Sequence, residues 1–167
     1  MTQCDEGIYR QLRHVPTVYV MCAIPGAGKT CWAKHYAARS NALGEYITYI
    51  SSDDIREEIC GDASDQSING LVFGIFYERA RKAIMDGSDV ILDATHLTKK
   101  IRRKCRNQFK DLNCKFVAVQ LATSVKEAIR RNKNRDRVVP EYAMSRMINI
   151  YQPVEDDEGF DYIWRID

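Results

Sequence analysis

Along the chain, short apolar runs alternate with longer segments in which apolar residues return at the helical spacing of three to four residues. The short runs are rich in β-branched residues. They predict buried strands at Val15–Cys22, Tyr46–Ile50, Asp89–Leu92 and Lys115–Leu121, and a short last strand at Tyr162–Ile166.

The segments with helical spacing predict six helices. They lie at Lys29–Arg39, Asp53–Ile59 and Asn69–Asp86, around the apolar stripe of Ile101, Cys105, Phe109 and Leu112, at Ser124–Asn134, and from Pro140 onward. Strands that alternate with helices of this length form right-handed βαβ units. The expected fold class is α/β, a three-layer sandwich in which a parallel sheet of four to five strands carries helices on both faces.

Length and composition set the broad class. With 167 residues, the chain is expected to form a single domain over 1–167. Hydrophobic residues make up 45% and charged residues 29%, which argues against disorder and against a coiled coil. No apolar run is long enough to span a membrane, and the first residues do not form an apolar signal segment, so we expect no membrane partner and a cytoplasmic location. The oligomeric state stays open.

Six cysteines follow no spacing typical of a zinc site or a disulfide framework. A chain of this length has no need of disulfides for stability. We therefore expect reduced thiols that serve as small core residues, and no zinc.

Charge is unevenly distributed, because 14 Lys and Arg but only 3 Asp and Glu lie between Lys99 and Arg137. The net charge of the whole chain is only +2, so the remainder is acidic. A basic segment of this density attracts phosphates, either on a nucleotide or on a polynucleotide.

A glycine-rich turn follows the first strand. Residues 23–30 read Ala-Ile-Pro-Gly-Ala-Gly-Lys-Thr and match the P-loop pattern except that Ala23 takes the first glycine position. In such a loop the backbone of Gly26, Ala27 and Gly28 surrounds a phosphate group. Lys29 then reaches the β- and γ-phosphates and Thr30 ligates Mg²⁺, so we expect ATP and Mg²⁺ as cofactors.

Asp53 and Arg56 follow the second strand, at the edge of a parallel sheet where ligands bind. Their spacing of three residues places both side chains on one face of a helix, where they can address one acceptor group. The alternative is that the acidic residue only stabilises the positive end of its own helix.

Asp93 ends the third buried strand, a position typical of a carboxylate that orients a metal-bound water or the acceptor. The alternative is a capped strand end. His96 lies close by, but the surrounding residues form no known ligand or triad pattern, so a structural role is expected for it.

Arg131 and Arg135 are one helical turn apart and project together. They precede Val139-Pro140 in a charged segment, residues 131–140, which we call the lid loop. Closure of these arginines over a triphosphate would stabilise the transferring phosphoryl group; the alternative is a solvated helix end. For the basic residues between Lys99 and Arg106, a solvated face and a substrate track are equally compatible with the sequence.

Together these residues resemble the P-loop kinases that include the phage-type polynucleotide 5′-hydroxyl kinases. The resemblance rests on four motifs in order: Pro25 to Thr30, Asp53 with Arg56, Asp93, and Arg131 to Arg135 followed by Val139-Pro140.

The resemblance implies an adenylate-kinase-like sheet and a role for each motif. Asp53 would be the general base, Arg56 a contact to an acceptor phosphate, and Asp93 a support of the acceptor site. Lys29, Arg131 and Arg135 would bind the nucleotide. Lys29, Arg56 and Arg135 would act in catalysis together with Asp53. The implied acceptor is the 5′-hydroxyl end of RNA or DNA. A modified DNA base, a nucleoside or a metabolite stays open as acceptor, as does an ATP-dependent switch that is no kinase.

Overall fold

The structure, a computed structural model, describes residues 14–167. Five strands form its sheet: β1 (Thr17–Cys22), β2 (Ile47–Ser51), β3 (Asp89–Asp93), β4 (Lys115–Leu121) and β5 (Tyr162–Ile166). Six α-helices connect them: α1 (Lys29–Ala42), α2 (Ser52–Cys60), α3 (Asn69–Met85), α4 (Lys99–Asn107), α5 (Val125–Lys133) and α6 (Glu141–Ile150). A 3₁₀ turn at Asp156–Glu158 precedes β5.

The sheet is parallel throughout, with the strand order β2-β3-β1-β4-β5. In register, Val18 of the central strand β1 lies between Val90 of β3 and Phe116 of β4. Because all strands point the same way, their carboxyl ends share one edge, and the segments after β1, β2 and β3 meet there. This confirms the expected α/β fold of the P-loop kinase type.

Two hydrophobic cores cover the two faces of the sheet. In β1, Val18 and Val20 point into the core shared with α3 and α4, whereas Tyr19 and Met21 point into the core shared with α1, α5 and α6. This alternation follows from the period of two along a strand. Since both faces are covered, the strands are apolar nearly throughout, and for that reason their positions could be predicted from the sequence.

The helices lie close to their predicted positions, with local differences. Helix α1 continues three residues beyond the predicted end at Arg39. Helix α2 begins after Ser51, whose hydroxyl accepts a hydrogen bond from the Asp54 backbone N–H, as expected of a cap. Gly87 follows the last residues of α3 with a left-handed φ of 84°, as is common for a glycine that ends a helix.

The expectation that the cysteines are core residues is only partly correct. Cys22 and Cys105 are buried free thiols, but Cys31 and Cys60 are exposed. Both exposed residues lie on outward-facing positions of α1 and α2. Cys4 lies outside the described residues.

The predicted apolar stripe of α4 was wrong at one position. Ile101 is 43% exposed, while the neighbouring Arg102 is completely buried. Arg102 donates to both carboxylate oxygens of Glu158, at 2.7 and 2.6 Å, and to the backbone carbonyl of His96 at 3.1 Å. A charge can replace an apolar side chain at this position because its donors find acceptors inside the protein.

The basic segment of α4 is therefore divided. Lys99 pairs with Glu155 and Asp157, and Arg102 with Glu158, so these two basic side chains hold the segment before β5 against the helix. The substrate-track interpretation does not apply to them. Of the basic side chains of α4, Lys100, Arg103 and Lys104 are exposed and form no ion pair within residues 14–167.

None of the helices in residues 14–167 combines the length and the apolar character that a membrane span requires.

Candidate functional site

The turn between β1 and α1 has the conformation of a phosphate-binding loop. Gly26 and Gly28 have φ angles of 79° and 101°, in the left-handed region that favours glycine. A Cβ atom at Gly26 would lie 2.1 Å from the carbonyl oxygen of Ala128 in α5. Gly26 is thus required by its backbone angle and by the close approach of α5.

Side chains on both sides hold this loop. Thr123, which follows β4, donates a 2.9 Å hydrogen bond to the carbonyl oxygen of Ala27. Lys29 is buried, and its Nζ donates to the carbonyl oxygen of Ile24 at 3.0 Å. Burial lowers the pKa of Lys29 to about 8; the Asp93 carboxylate opposes this shift, and the Arg135 guanidinium adds to it.

Thr30 and Asp93 meet at the carboxyl edge of the sheet. The Thr30 hydroxyl donates to Asp93 Oδ2 at 2.7 Å, and the Tyr49 hydroxyl donates to the same oxygen, also at 2.7 Å. Asp93 is buried. The structure thus places Asp93 beside the P-loop threonine.

These oxygen donors fit a bound Mg²⁺. Mg²⁺ is usually held by one or two protein oxygens together with substrate phosphates and water, not by a cage made of protein alone. Thr30 and Asp93 are the residues that would hold the ion.

Asp53 lies in the first turn of α2, across the cleft from the P-loop. Its Oδ1 accepts a 2.9 Å hydrogen bond from Nη1 of Arg56, and its side chain is 48% exposed. Arg56 itself is only 3% exposed. Its guanidinium also donates to the carbonyl oxygen of Ala63 and to the side chain of Asn69, at 3.2 and 2.7 Å, and so holds the segment between α2 and α3.

The arginines of the lid loop have separate partners. Arg131 pairs with Glu127 at 2.7 Å, and its Nη1 lies 3.6 Å from the position that a Cβ at Gly28 would take. Arg135 lines the cleft and lies near enough to Lys29 to lower its pKa. Arg137 reaches across the cleft, where its Nη2 donates to Oδ2 of Asp53.

The side chain of Asn132 connects the two ends of the lid loop. Its side chain is buried, donates to the carbonyl oxygen of Val139 at 2.9 Å, and accepts from the backbone N–H of the same residue at 3.0 Å. The amide thus satisfies both polar groups of one backbone position. The six residues between Asn132 and Val139 therefore form a closed loop over the cleft.

A cavity of about 440 Å³ lies between the P-loop, α2 and the lid loop. Polar and charged side chains form most of its lining: Thr30, Ser51, Asp53, Asp54, Glu57, Asn134, Arg135, Asp136 and Arg137. The cavity brings the P-loop threonine and the Asp53 carboxylate to one space, as a group-transfer site requires.

Sequence reasoning assigned no role in this site to four residues: Tyr49, Thr123, Asn132 and Arg137. Arg137 stood in the basic cluster, but no spacing distinguished it from its neighbours. Of the predicted residues, Arg56 points inward to the segment that follows α2. His96 has the expected structural position: it is buried, its Nδ1 lies 2.9 Å from the carbonyl oxygen of Met21, and its φ is 41°.

A family model described as an AAA domain matches residues 18–154, which include the P-loop, Asp53, Asp93 and the lid loop. The chain belongs to this AAA domain family. Its fold is that of the P-loop kinases, which are phosphotransferases that bind ATP-type nucleotides. No curated protein sequence matches the chain.

Solved structures share this fold at low identity. A component of the Pnkp1/Rnl/Hen1 RNA repair complex superposes with a TM-score of 0.72 at 15% identity, over 83% of this chain and 44% of that one. Kti12 from Chaetomium thermophilum, in complex with ADP-AlF3, gives 0.69 at 16% identity, over 89% and 88%. The Mycobacterium tuberculosis APS kinase CysC, in complex with AMPPNP and APS, gives 0.64 at 18% identity, over 92% and 90%. The present chain thus spans less than half of the RNA repair component.

Proposed function

We propose that this AAA domain is an ATP- and Mg²⁺-dependent kinase that transfers the γ-phosphoryl group to an acceptor hydroxyl. The observation that carries the proposal is the shared cavity of Thr30 and Asp53, with a P-loop on one side and a half-exposed carboxylate on the other. Asp53 and Arg56 favour a kinase over a nucleotide switch, since a switch that hydrolyses ATP need only position water.

Asp53 acts as the general base in this proposal. Phosphoryl transfer through a loose transition state depends on positioning and charge neutralisation more than on a strong base. Asp53 orients the acceptor hydroxyl and takes its proton as the new oxygen–phosphorus bond forms. The bond from phosphorus to the bridging oxygen breaks, and ADP leaves.

The donor side consists of Lys29, Arg131 and Arg135. ATP supplies the phosphoryl group; Thr30 and Asp93 would hold Mg²⁺, which would neutralise part of the charge of the phosphates. Arg131 lies beside Gly28, and Arg135 lines the cavity together with Thr30, so both are placed for the phosphate chain. Concentrated positive charge stabilises the transferring phosphoryl group.

For the acceptor, we propose the 5′-hydroxyl end of RNA or DNA. The exposed side chains of Lys100, Arg103 and Lys104, on the helix that follows β3, support a polyanionic acceptor. The similarity to a component of an RNA repair complex favours it too. Transfer to a nucleic acid would fit a cytoplasmic location.

A second class of acceptor is favoured by the lining of the cavity itself. The lining contains four acidic side chains and two basic ones, so its net charge is negative. The acidic residues are Asp53, Asp54, Glu57 and Asp136, and the basic ones are Arg135 and Arg137. Excess negative charge disfavours an anionic acceptor close to the reacting atoms. It favours an uncharged or cationic hydroxyl compound, such as a nucleoside or an amino alcohol.

Transfer of radiolabelled γ-phosphate to a panel of acceptors separates these classes. The panel contains 5′-hydroxyl RNA, 5′-hydroxyl DNA, duplex DNA with a hydroxymethylated base, nucleosides and amino alcohols. Labelled RNA or DNA ends, with a yield that falls steeply as salt rises, support the nucleic acid. A labelled nucleoside or amino alcohol with little response to salt supports the second class. Release of phosphate without any labelled acceptor would contradict kinase activity.

Two variants test the roles within the site. Asp53→Ala is expected to lower kcat by about 10² to 10⁴ while nucleotide affinity stays nearly unchanged, because the carboxylate serves the acceptor. Lys29→Ala is expected to lose both nucleotide binding and turnover. Asp86→Ala, which removes an exposed carboxylate at the end of α3, is the control and should behave as the wild type. Full turnover in Asp53→Ala would remove this residue from the mechanism.

A further inference from the structure

Arginines from two different parts of the chain hold the Asp53 carboxylate. Nη1 of Arg56, one turn further along α2, donates to Oδ1, and Nη2 of Arg137, in the lid loop 84 residues away, donates to Oδ2. Each carboxylate oxygen thus accepts a hydrogen bond from one guanidinium. Charge-assisted hydrogen bonds of this kind orient a carboxylate strongly.

The two arginine side chains differ in burial and in the number of their hydrogen-bond partners. Arg56 is almost fully buried and is fixed by the carbonyl oxygen of Ala63 and the side chain of Asn69. The Arg137 side chain is 40% exposed, and within residues 14–167 it donates to Asp53 alone. The contact of Arg56 with Asp53 is therefore fixed within α2. Arg137 makes its contact with Asp53 only when the lid loop lies over the cleft.

The other lid arginines do not contact Asp53. Arg131 pairs with Glu127 and lies beside Gly28, and Arg135 lines the cavity but forms no hydrogen bond with Asp53. Arg137 is thus the arginine that connects the lid loop to the acceptor side of the cavity. The bonds between Asn132 and Val139 fix the ends of the loop and hence the reach of this side chain.

From this geometry we infer that Arg137 is a positioning residue for phosphoryl transfer: it completes the orientation of Asp53 when the lid loop covers the cleft. The inference rests on the proposed function, in which Asp53 is the general base. A carboxylate offers about four acceptor positions, so two guanidinium contacts leave room for the acceptor hydroxyl. Without Arg137, the half-exposed carboxylate would depend on Arg56 alone, and small errors in the position of a reacting group lower rates strongly.

The test uses Arg137→Gln and Arg137→Lys, each in the wild-type protein and together with Asp53→Asn. Arg130→Gln is the matched control, because Arg130 lies on the same helix as Arg131 and, within the described residues 14–167, pairs only with Glu127, outside the cavity. ADP formation is measured with the acceptor that is labelled in the panel; if no acceptor is labelled, the proposed function fails and the inference fails with it. ADP affinity is measured separately by calorimetry.

Arg137→Gln is expected to lower kcat about tenfold or more, while the KM for ATP and the affinity for ADP change less than about twofold. Arg137→Lys should recover part of the loss, and Arg130→Gln should match the wild type. In the Asp53→Asn background, Arg137→Gln should cause no further loss, since its effect passes through Asp53.

Each other outcome has a definite meaning. An unchanged kcat in Arg137→Gln overturns the inference, as does a loss of ADP affinity that accompanies the loss of kcat, which would place Arg137 on the nucleotide. A further loss in the Asp53→Asn background also overturns it. Full activity of Asp53→Asn, or no ADP formation by the wild type, overturns the proposed function itself, whatever the Arg137 variants do.

Discussion

Arg102 and Glu158 form an ion pair in which both side chains are almost completely buried, at 0% and 3% exposure. The pair joins α4 to the segment before β5, and Arg102 also donates to the carbonyl oxygen of Gln152. Burial alone would raise the pKa of Glu158, but the hydrogen bonds from Arg102 hold that pKa below its usual value.

Removal of one partner should be far more harmful than removal of both. Arg102→Met leaves a buried carboxylate without its partner and is expected to lower the free energy of unfolding by about 3–5 kcal/mol. The double variant Arg102→Met with Glu158→Leu should recover most of that loss. Urea denaturation measures both. Arg79→Met, which breaks an exposed pair with Glu58, is the control and should lose less than about 1 kcal/mol. Equal losses in Arg102→Met and Arg79→Met would contradict this account.

Stability should depend on pH through His96. Burial lowers the pKa of His96 to about 4, whereas the same histidine in the unfolded chain has a pKa near 6.5. Between these values the unfolded state binds more protons, so stability falls as pH decreases from about 6.5 to 4, by up to about 3 kcal/mol. Replacement by asparagine, which tolerates the positive φ of 41°, removes this contribution.

The measurement compares urea midpoints at pH 7.5 and pH 4.5. His96→Asn should lose less stability between these pH values than the wild type does. His35→Gln, which changes an exposed histidine of α1, should retain the dependence of the wild type. If the stability of His96→Asn depends on pH as strongly as that of the wild type, groups other than His96 cause the pH dependence.

Gly26 should tolerate no side chain. Gly26→Ala places a Cβ atom 2.1 Å from the carbonyl oxygen of Ala128 and at an unfavourable φ, so the P-loop must shift and nucleotide binding should be lost. Gly74→Ala is the matched control, because this glycine lies in α3 with open space around it. That variant should gain about 0.5–1 kcal/mol and bind ADP as the wild type does. Calorimetry with ADP checks both, and normal binding by Gly26→Ala would refute the phosphate-loop geometry.

Loss of the Asn132 side chain should open the lid loop. Asn132→Ala leaves the N–H and C=O of Val139 without their partner, which is expected to lower the free energy of unfolding by about 1–3 kcal/mol. Trypsin should then cleave after Arg135 and Arg137 much faster. Lys126→Ala, an exposed change on α5, should leave these cleavage rates unchanged. Wild-type cleavage in Asn132→Ala would mean that the amide does not hold the loop.

Local patterns were sufficient to predict most of the fold. The strands are apolar on both faces and separated by helices, so their order along the chain implied a parallel sheet. The glycines of the P-loop were recognisable because a phosphate-binding backbone requires positive φ at specific positions. Both kinds of signal lie within about ten residues of sequence.

Long-range pairing was not predictable in this way. Arg102 is buried because Glu158, 56 residues further on, meets it, and no local pattern distinguishes it from the exposed Arg103. The contact of Arg137 with Asp53 depends in turn on the path of the lid loop, which the Asn132 amide fixes. The inward orientation of Arg56 depends on a segment that follows its helix.

The inward orientation of Arg56 fixes one side of the cleft independently of the P-loop. One buried guanidinium attaches the stretch between α2 and α3 to the body of the molecule, while Thr123 and Ala128 steady the phosphate loop from the opposite side. The two halves of the cleft thus have independent anchors. Changes in the stretch at residues 61–68, which contributes Ala63 to the cavity lining, are therefore expected to alter the Asp53 side of the cavity while the contacts of the P-loop stay as they are.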